Sequence, residues 1–191
     1  MILIIDNYDS FTYNLYQMVG VMVDKIEVIR NDKITLSEIK NLNPQGIILS
    51  PGPSHPKNSG ICLEVIKELA PTIPTLGVCL GHQAIAMVYG ANIINAKQIV
   101  HGKEDLIMHT GSKLFNGVNA TFAAARYHSL LVDKAGFPPS LTIDATDGEG
   151  RVMALSHKDY PIYGVQFHPE SILTIEGATI LNNFVSICDA R

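Results

Sequence analysis

Short apolar runs and amphipathic stretches alternate through the first half of the chain. Ile2–Ile5 is a β-branched run that ends at Asp6, and Lys25–Arg30, Gly46–Leu49 and Thr75–Val78 read as further strands. Between them, Phe11, Leu15, Met18 and Val19 recur at helical spacing behind Ser10, a candidate cap. Leu36–Leu42 is a short amphipathic helix stopped by Asn43-Pro44, and Gly60–Leu69 is another, stopped before Pro71. His82–Tyr89 is a fourth, closed by Gly90, which suits a left-handed C-terminal position. Four β-α units with short connections predict an α/β domain: one mostly parallel open sheet covered by helices on both faces. After Gly90 the pattern turns strand-rich. Ala91–Ala96, Leu106–Met108, Thr121–Ala124, Leu141–Ala145, Val152–Ser156 and Ile162–Gln166 are separated by Gly, Asn, Asp and Pro turns, and a helix near Ile175–Val185 follows. The whole of 1–191 reads as one domain, with an additional β-rich section in its second half.

Composition narrows the class. Apolar residues are 47% of the 191 and charged residues only 17%, against a usual ~25%, which excludes a disordered chain. The formal net charge of −4 argues against a nucleic-acid backbone binder, which would cluster Lys and Arg. No run reaches the ~18 apolar residues of a membrane span, and the first residues lack a secretory pattern. Cys62, Cys79 and Cys188 are odd in number and widely spaced, so they form no disulfide framework and fit a reducing compartment. The expectation is a soluble, cytoplasmic protein with no membrane and no nucleic-acid partner.

Candidate chemistry centres on Gly77-Val78-Cys79-Leu80-Gly81-His82-Gln83. A strand ends at Val78 and a helix follows, so Cys79 sits on the turn between them, as the serine does in a G-x-S-x-G nucleophile elbow. The flanking glycines relieve crowding there, and the helix N-terminus favours thiolate over thiol. The competing reading, a small buried hydrophobe, suits Cys62 and Cys188, which lack that context. A cysteine nucleophile needs a base and a group to orient it. His168 follows a buried strand, in Gly164-Val165-Gln166-Phe167-His168-Pro169-Glu170, and Glu170, two residues on in an extended segment, can accept its second ring N–H. An oxyanion at the attacked carbon needs backbone donors: Leu80 N–H is one, and Ser50-Pro51-Gly52-Pro53-Ser54 is a loop able to bring Gly52 close as the other, unless it is an ordinary rigid turn. Cys79 and His82 lack the second pair a metal site requires, and no glycine-rich phosphate motif is present.

In these residues, and in Ile5–Phe11, Arg30-Asn31-Asp32, Ser50–Pro53, His101-Gly102-Lys103, Arg126–Leu130 and Gly164–Ser171, the chain resembles the class I (triad-type) glutamine amidotransferases over nearly its whole length. Within them it resembles the glutaminase subunits of the chorismate-aminating synthases, anthranilate synthase and aminodeoxychorismate synthase. The resemblance implies that glutamine is the substrate, that Cys79, His168 and Glu170 form the triad, and that Gly52 and Leu80 stabilise the oxyanion. It further implies that Gly52, Pro53, Ser54, Gln83, Ser129 and Leu130 hold glutamine. It implies no metal or cofactor in this chain, with Mg²⁺ on a chorismate-binding synthase subunit (component I) as partner in a hetero-oligomer. Anthranilate formation for tryptophan is the leading expectation. Aminodeoxychorismate formation for folate, a free-standing cysteine hydrolase of γ-glutamyl compounds and a non-catalytic glutamine sensor are the alternatives. The chain departs from the family in two places. Ser54 stands where the loop usually has Gly, at a cost of about 1 kcal/mol if that residue takes a positive φ. Glu104-Asp105 replace the usual Ser or Thr after His101-Gly102-Lys103, a region associated with the partner interface.

Overall fold

The computed structural model describes residues 1–190, and all of their side chains except those of 97–101 and 103. The order of elements is β1 (Ile2–Asp6), α1 (Thr12–Gly20), β2 (Ile26–Arg30), α2 (Leu36–Leu42), β3 (Gly46–Leu49), α3 (Cys62–Glu68), β4 (Thr75–Val78), α4 (Leu80–Val88), β5 (Ile93–His109), β6 (Thr121–Val132), β7 (Leu141–Asp147), β8 (Val152–His157), β9 (Ile162–Val165) and α5 (Gly177–Asp189). One sheet runs β2-β1-β3-β4-β9-β8-β7-β5-β6. The pairs β2/β1, β1/β3, β3/β4 and β4/β9 are parallel, and the pairs from β9 to β6 are antiparallel. The β-rich second half therefore continues the parallel sheet through β9 instead of forming a layer of its own.

The apolar runs are continuous because the parallel strands are buried on both faces. Ile2 and Ile4 of β1 join Leu15 and Val19 of α1 and Phe184 and Val185 of α5 on one side. Leu3 and Ile5 join Ile39 of α2, Val65 and Ile66 of α3, and Ala84 and Ile85 of α4 on the other. The two sides of one short run thus build two cores.

Local details differ from the sequence reading in several places; β6, for one, runs on from the expected Thr121–Ala124 to Val132. Ser10 does not cap α1: the N-cap is Phe11, without a side-chain cap, and its N–H is taken by Asp9 Oδ2 at 2.7 Å. Asp6 Oδ1 accepts from Asp9 N–H and Thr12 Oγ1, so two carboxylates organise the turn instead of a hydroxyl. α4 starts at Leu80, directly after Cys79, not at His82. Ala91–Ala96 and Leu106–Met108 are two ends of the single strand β5, whose register with β6 shifts between Asn95 and Val100 and again between His101 and Lys103. Gly102, with φ +67°, lets the strand bulge there instead of turning back. The His101 and Lys103 side chains lie outside the described residues. Asp105 is engaged within the chain by Arg126 and Arg151, which leaves it less free for a partner than the sequence suggests.

The C-terminal ends of β1, β3, β4 and β9 lie side by side. This is the edge where open α/β sheets place ligands, and it carries Asn7, the Ser50–Ser54 loop, Cys79 and His168.

Candidate active site

Cys79 has φ +52° and ψ −98°, a conformation that costs a non-glycine residue on the order of 1–3 kcal/mol. Hydrogen bonds hold it there. Its N–H donates to Val165 O at 2.8 Å, and its carbonyl accepts from Gln83 N–H at 3.1 Å, opening α4. The flanking glycines make the turn possible. A Cβ on Gly77 would lie 2.4 Å from the Gly81 carbonyl carbon, and one on Gly81 would lie 2.4 Å from Leu49 O. The two arms of the elbow therefore touch each other and β3 through bare backbone.

The Cys79 side chain lies between two cavities. One, of about 170 Å³, is lined by Gly52, Pro53, Ser54, Gln83 and Tyr127–Leu130. The other, of about 380 Å³, is lined by Tyr8–Phe11, Pro51–Pro53, Tyr127 and His168. The structure thus gathers around the sulfur every residue that the sequence assigns to the site, with Glu170 behind His168. A larger cavity of about 510 Å³, beside Pro74 and Pro161, opens at the opposite ends of β4 and β9, and neither Cys nor His is in its lining.

His168 Nδ1 is 2.6 Å from Glu170 Oε1, and both side chains are buried. The pair meets because His168–Ser171 is a tight turn, closed by Ser171 N–H on His168 O, with Pro169 fixing its second position. The expected pairing is present, but through a turn and not an extended segment. The Tyr127 and Phe11 rings pack on the imidazole edge-on, at 5.0 and 5.7 Å. Nε2 is buried without a hydrogen bond among the described residues, which leaves it for the cavity it shares with Cys79. Burial alone would push the His168 pKa down. Interactions with the Cys79 and Glu170 side chains more than reverse this and hold it at about 10. The imidazolium is thereby kept as a proton donor facing the cavity it shares with Cys79.

The charge on His168 makes stability depend on pH. The folded-state pKa lies above the ordinary 6.5, so the stabilisation from a charged His168 is complete below about 6.5 and is lost as pH rises through about 10. The difference in melting temperature between the native chain and His168→Ala should shrink steadily between those values in a calorimetric pH series. A constant difference would contradict the charged pair.

The remaining histidines near the site are held neutral. Burial pushes His82 down to about 4. Burial and the Arg126 charge push His128 down to about 3. Arg126 is fully buried on β6; its Nη1 donates to Asp105 and to Asp147, and its Nε donates to His128 Nε2 at 2.9 Å. That network anchors the strand whose next residues, Ser129 and Leu130, wall the smaller cavity. Cys62 is buried with its thiol pushed up to about 12, and Cys188 is buried under Gly46, so neither resembles a nucleophile.

Gln83 Nε2 donates to Leu130 O and to Gln166 Oε1, each at 3.0 Å. Both of its N–H groups are thus committed, and its carbonyl oxygen is what remains for a ligand. Gln166 Nε2 in turn approaches Cys79 Sγ at 3.6 Å. Gln166, in sequence the last residue of a strand pattern, joins the site; its place between Gly164 and His168 is the available clue. Tyr127 is the second addition, lining both cavities. Ser54 does take a positive φ, +73°, and its hydroxyl accepts from Asn58 Nδ2 at 3.2 Å. Among the described residues no cluster of three or more His, Cys, Asp or Glu could hold a metal ion, and no helix is long and apolar enough to cross a membrane.

Comparison with known proteins adds independent findings. The sequence profile of the glutamine amidotransferase class-I family matches residues 3–188. The aminodeoxychorismate/anthranilate synthase component 2 of Bacillus subtilis is 50% identical over 185 residues, covering 97% of this chain and 95% of that one. The bifunctional protein TrpGD of Thermotoga maritima is 48% identical over 192 residues, and there the match spans 100% of this chain but only 33% of the relative. Among solved structures, a putative GMP synthase subunit from Thermoplasma acidophilum superposes with a TM-score of 0.87 at 26% identity, over 99% of this chain and 94% of that one.

Proposed function

Because the chain belongs to the class-I glutamine amidotransferase family, we propose that it is the ammonia-producing component of a chorismate-aminating synthase. The observation that carries this reading is the Cys79 elbow facing the His168–Glu170 pair across a shared cavity. In this mechanism Cys79 Sγ attacks the side-chain amide carbon of glutamine. The oxyanion is received by the N–H groups of Gly52 and Leu80, neither of which is hydrogen-bonded among the described residues. His168 passes its proton to the amide nitrogen, the C–N bond breaks, ammonia leaves and a glutamyl thioester remains. Neutral His168 then takes a proton from water, the hydroxide attacks the thioester, and glutamate leaves with Cys79 restored. Glu170 keeps the imidazole aimed throughout. The α-amino and α-carboxylate groups sit in the cavity of Gly52, Pro53, Ser54, Gln83, Ser129 and Leu130, where the free carbonyl of Gln83 suits an ammonium group.

The partner in this reading is a chorismate-binding synthase subunit, which also carries Mg²⁺, in a hetero-oligomer located in the cytoplasm. The leading product is anthranilate, for tryptophan. The name of the Bacillus relative couples that role with aminodeoxychorismate, so the second product class stands beside the first. The test is ammonia release from glutamine by the chain alone and with chorismate and the co-purified synthase subunit. A low rate alone and a large increase in the complex are expected. An undiminished rate alone, indifferent to chorismate and to the partner, would indicate a free-standing hydrolase instead.

A further inference from the structure

Ser50 is completely buried where β3 enters the loop of the oxyanion donor. Its Oγ accepts Asn7 N–H at 2.8 Å and donates to Pro51 O at 2.7 Å. The direction of both bonds is fixed by chemistry. A backbone N–H only donates and a carbonyl only accepts, so the hydroxyl proton must point at Pro51. The Pro51 carbonyl and the Gly52 N–H belong to one planar trans peptide and point in opposite directions. Tying that carbonyl to Ser50 therefore fixes the direction of the N–H.

Asn7 holds the other side of the same loop. Its Nδ2 donates to Ser50 O at 2.9 Å, while its Oδ1 accepts from Asn31 Nδ2 at 2.9 Å and from Cys62 Sγ at 3.2 Å. A Cβ on Gly52 would lie 2.6 Å from Asn7 Cβ and 2.7 Å from Leu80 Cδ2, so the Gly52 peptide is wedged between Asn7 and the residue after the nucleophile. Left to itself, a peptide preceding glycine turns over readily, because glycine accepts either sign of φ. Turned over, it would present a carbonyl oxygen where a donor is needed.

We propose that Ser50, backed by Asn7, is a positioning residue that locks the Pro51–Gly52 peptide with its N–H toward the Cys79 cavity. This rests on the glutaminase reading above, in which Gly52 receives the oxyanion. It gives a role to Asn7 and Ser50, which the triad leaves unexplained.

The test compares Ser50→Ala and Ser50→Thr with the native chain, each in the complex with its synthase partner. Two quantities are measured: steady-state glutamine hydrolysis, and the rate at which iodoacetamide alkylates Cys79, with Cys79→Ala as background. Alkylation displaces iodide from a saturated carbon and forms no oxyanion, so it reports an intact elbow without using the lock. For Ser50→Ala we expect kcat to fall roughly 10–100-fold, somewhat less than deletion of an oxyanion donor, with KM for glutamine within about threefold and alkylation unchanged. Ser50→Thr keeps the hydroxyl and should recover most of kcat. A kcat for Ser50→Ala within about twofold of native, a loss of alkylation in step with kcat, or a threonine variant as slow as the alanine one would each overturn the proposal. A native complex without glutaminase activity would instead remove the parent reading, and this one with it.

Discussion

Replacing Cys79 by alanine is expected to lower glutamine-dependent ammonia release at least about 10⁴-fold, the scale on which loss of a covalent nucleophile acts. Cys62→Ser and Cys188→Ser should leave it within about twofold, provided the buried hydroxyls do not unfold the chain. The asymmetry follows from position. Cys79 alone occupies a strained strand–helix turn, alone borders both cavities and alone interacts with His168. The other two thiols are packed in the cores on opposite sides of the sheet. Glutamine binding should survive in Cys79→Ala, because the groups proposed to hold the α-amino and α-carboxylate ends do not include the sulfur. Isothermal titration with glutamine beside the rate assay separates loss of chemistry from loss of binding.

The second large effect is a separation of activities. With Cys79 replaced or blocked, the assembled complex should make no aromatic product from glutamine, yet make it at near-native rate from ammonium salt at alkaline pH. Cys79, His168 and Glu170 only generate ammonia in this account, and uncharged NH₃ from solvent can reach an amination site on the other chain. His168→Ala should behave alike, since it removes both the acid that expels ammonia and the base that activates water. Glu170→Ala should be milder, because it disturbs only the aim and charge of the imidazole. Loss of the ammonia-dependent reaction in a complex that still assembles would break this division of labour.

How much of this was legible in the sequence depended on the range of the interactions. β3 and β4 were readable to the residue, because each is four buried residues between breakers and nothing distant alters them. Cys79 was readable because the glycines that its turn requires stand two residues away. The start of α4 was not, since Gly81 is a poor helix position and only the packing of Gly77 on Gly81, and of Gly81 on Leu49, draws the helix back from His82 to Leu80. β5 looked like two strands because its middle is polar and contains Gly102; antiparallel pairing with β6, the next strand, holds it together across its register shifts. The role of Gln166 is invisible to local patterns because it depends on Gln83, 83 residues away in sequence. The Asn7–Ser50 bond spans 43 residues and is equally invisible to local patterns. Ser10 differs for another reason: Asp6 and Asp9, both on its N-terminal side, accept the N–H groups of Asp9 and Phe11 and set the turn before α1.

The central claim is that Cys79 carries the glutamyl group between the two half-reactions. It is tested most directly by acid-quenching the complex during turnover with isotope-labelled glutamine, preferably in a Glu170→Ala background that slows thioester breakdown, and locating the label by peptide mass spectrometry. The account predicts a hydroxylamine-sensitive glutamyl adduct on the peptide containing Cys79, absent in Cys79→Ala. Ammonia release at full rate with no such adduct on Cys79, or with the adduct on Cys62 or Cys188, would contradict it.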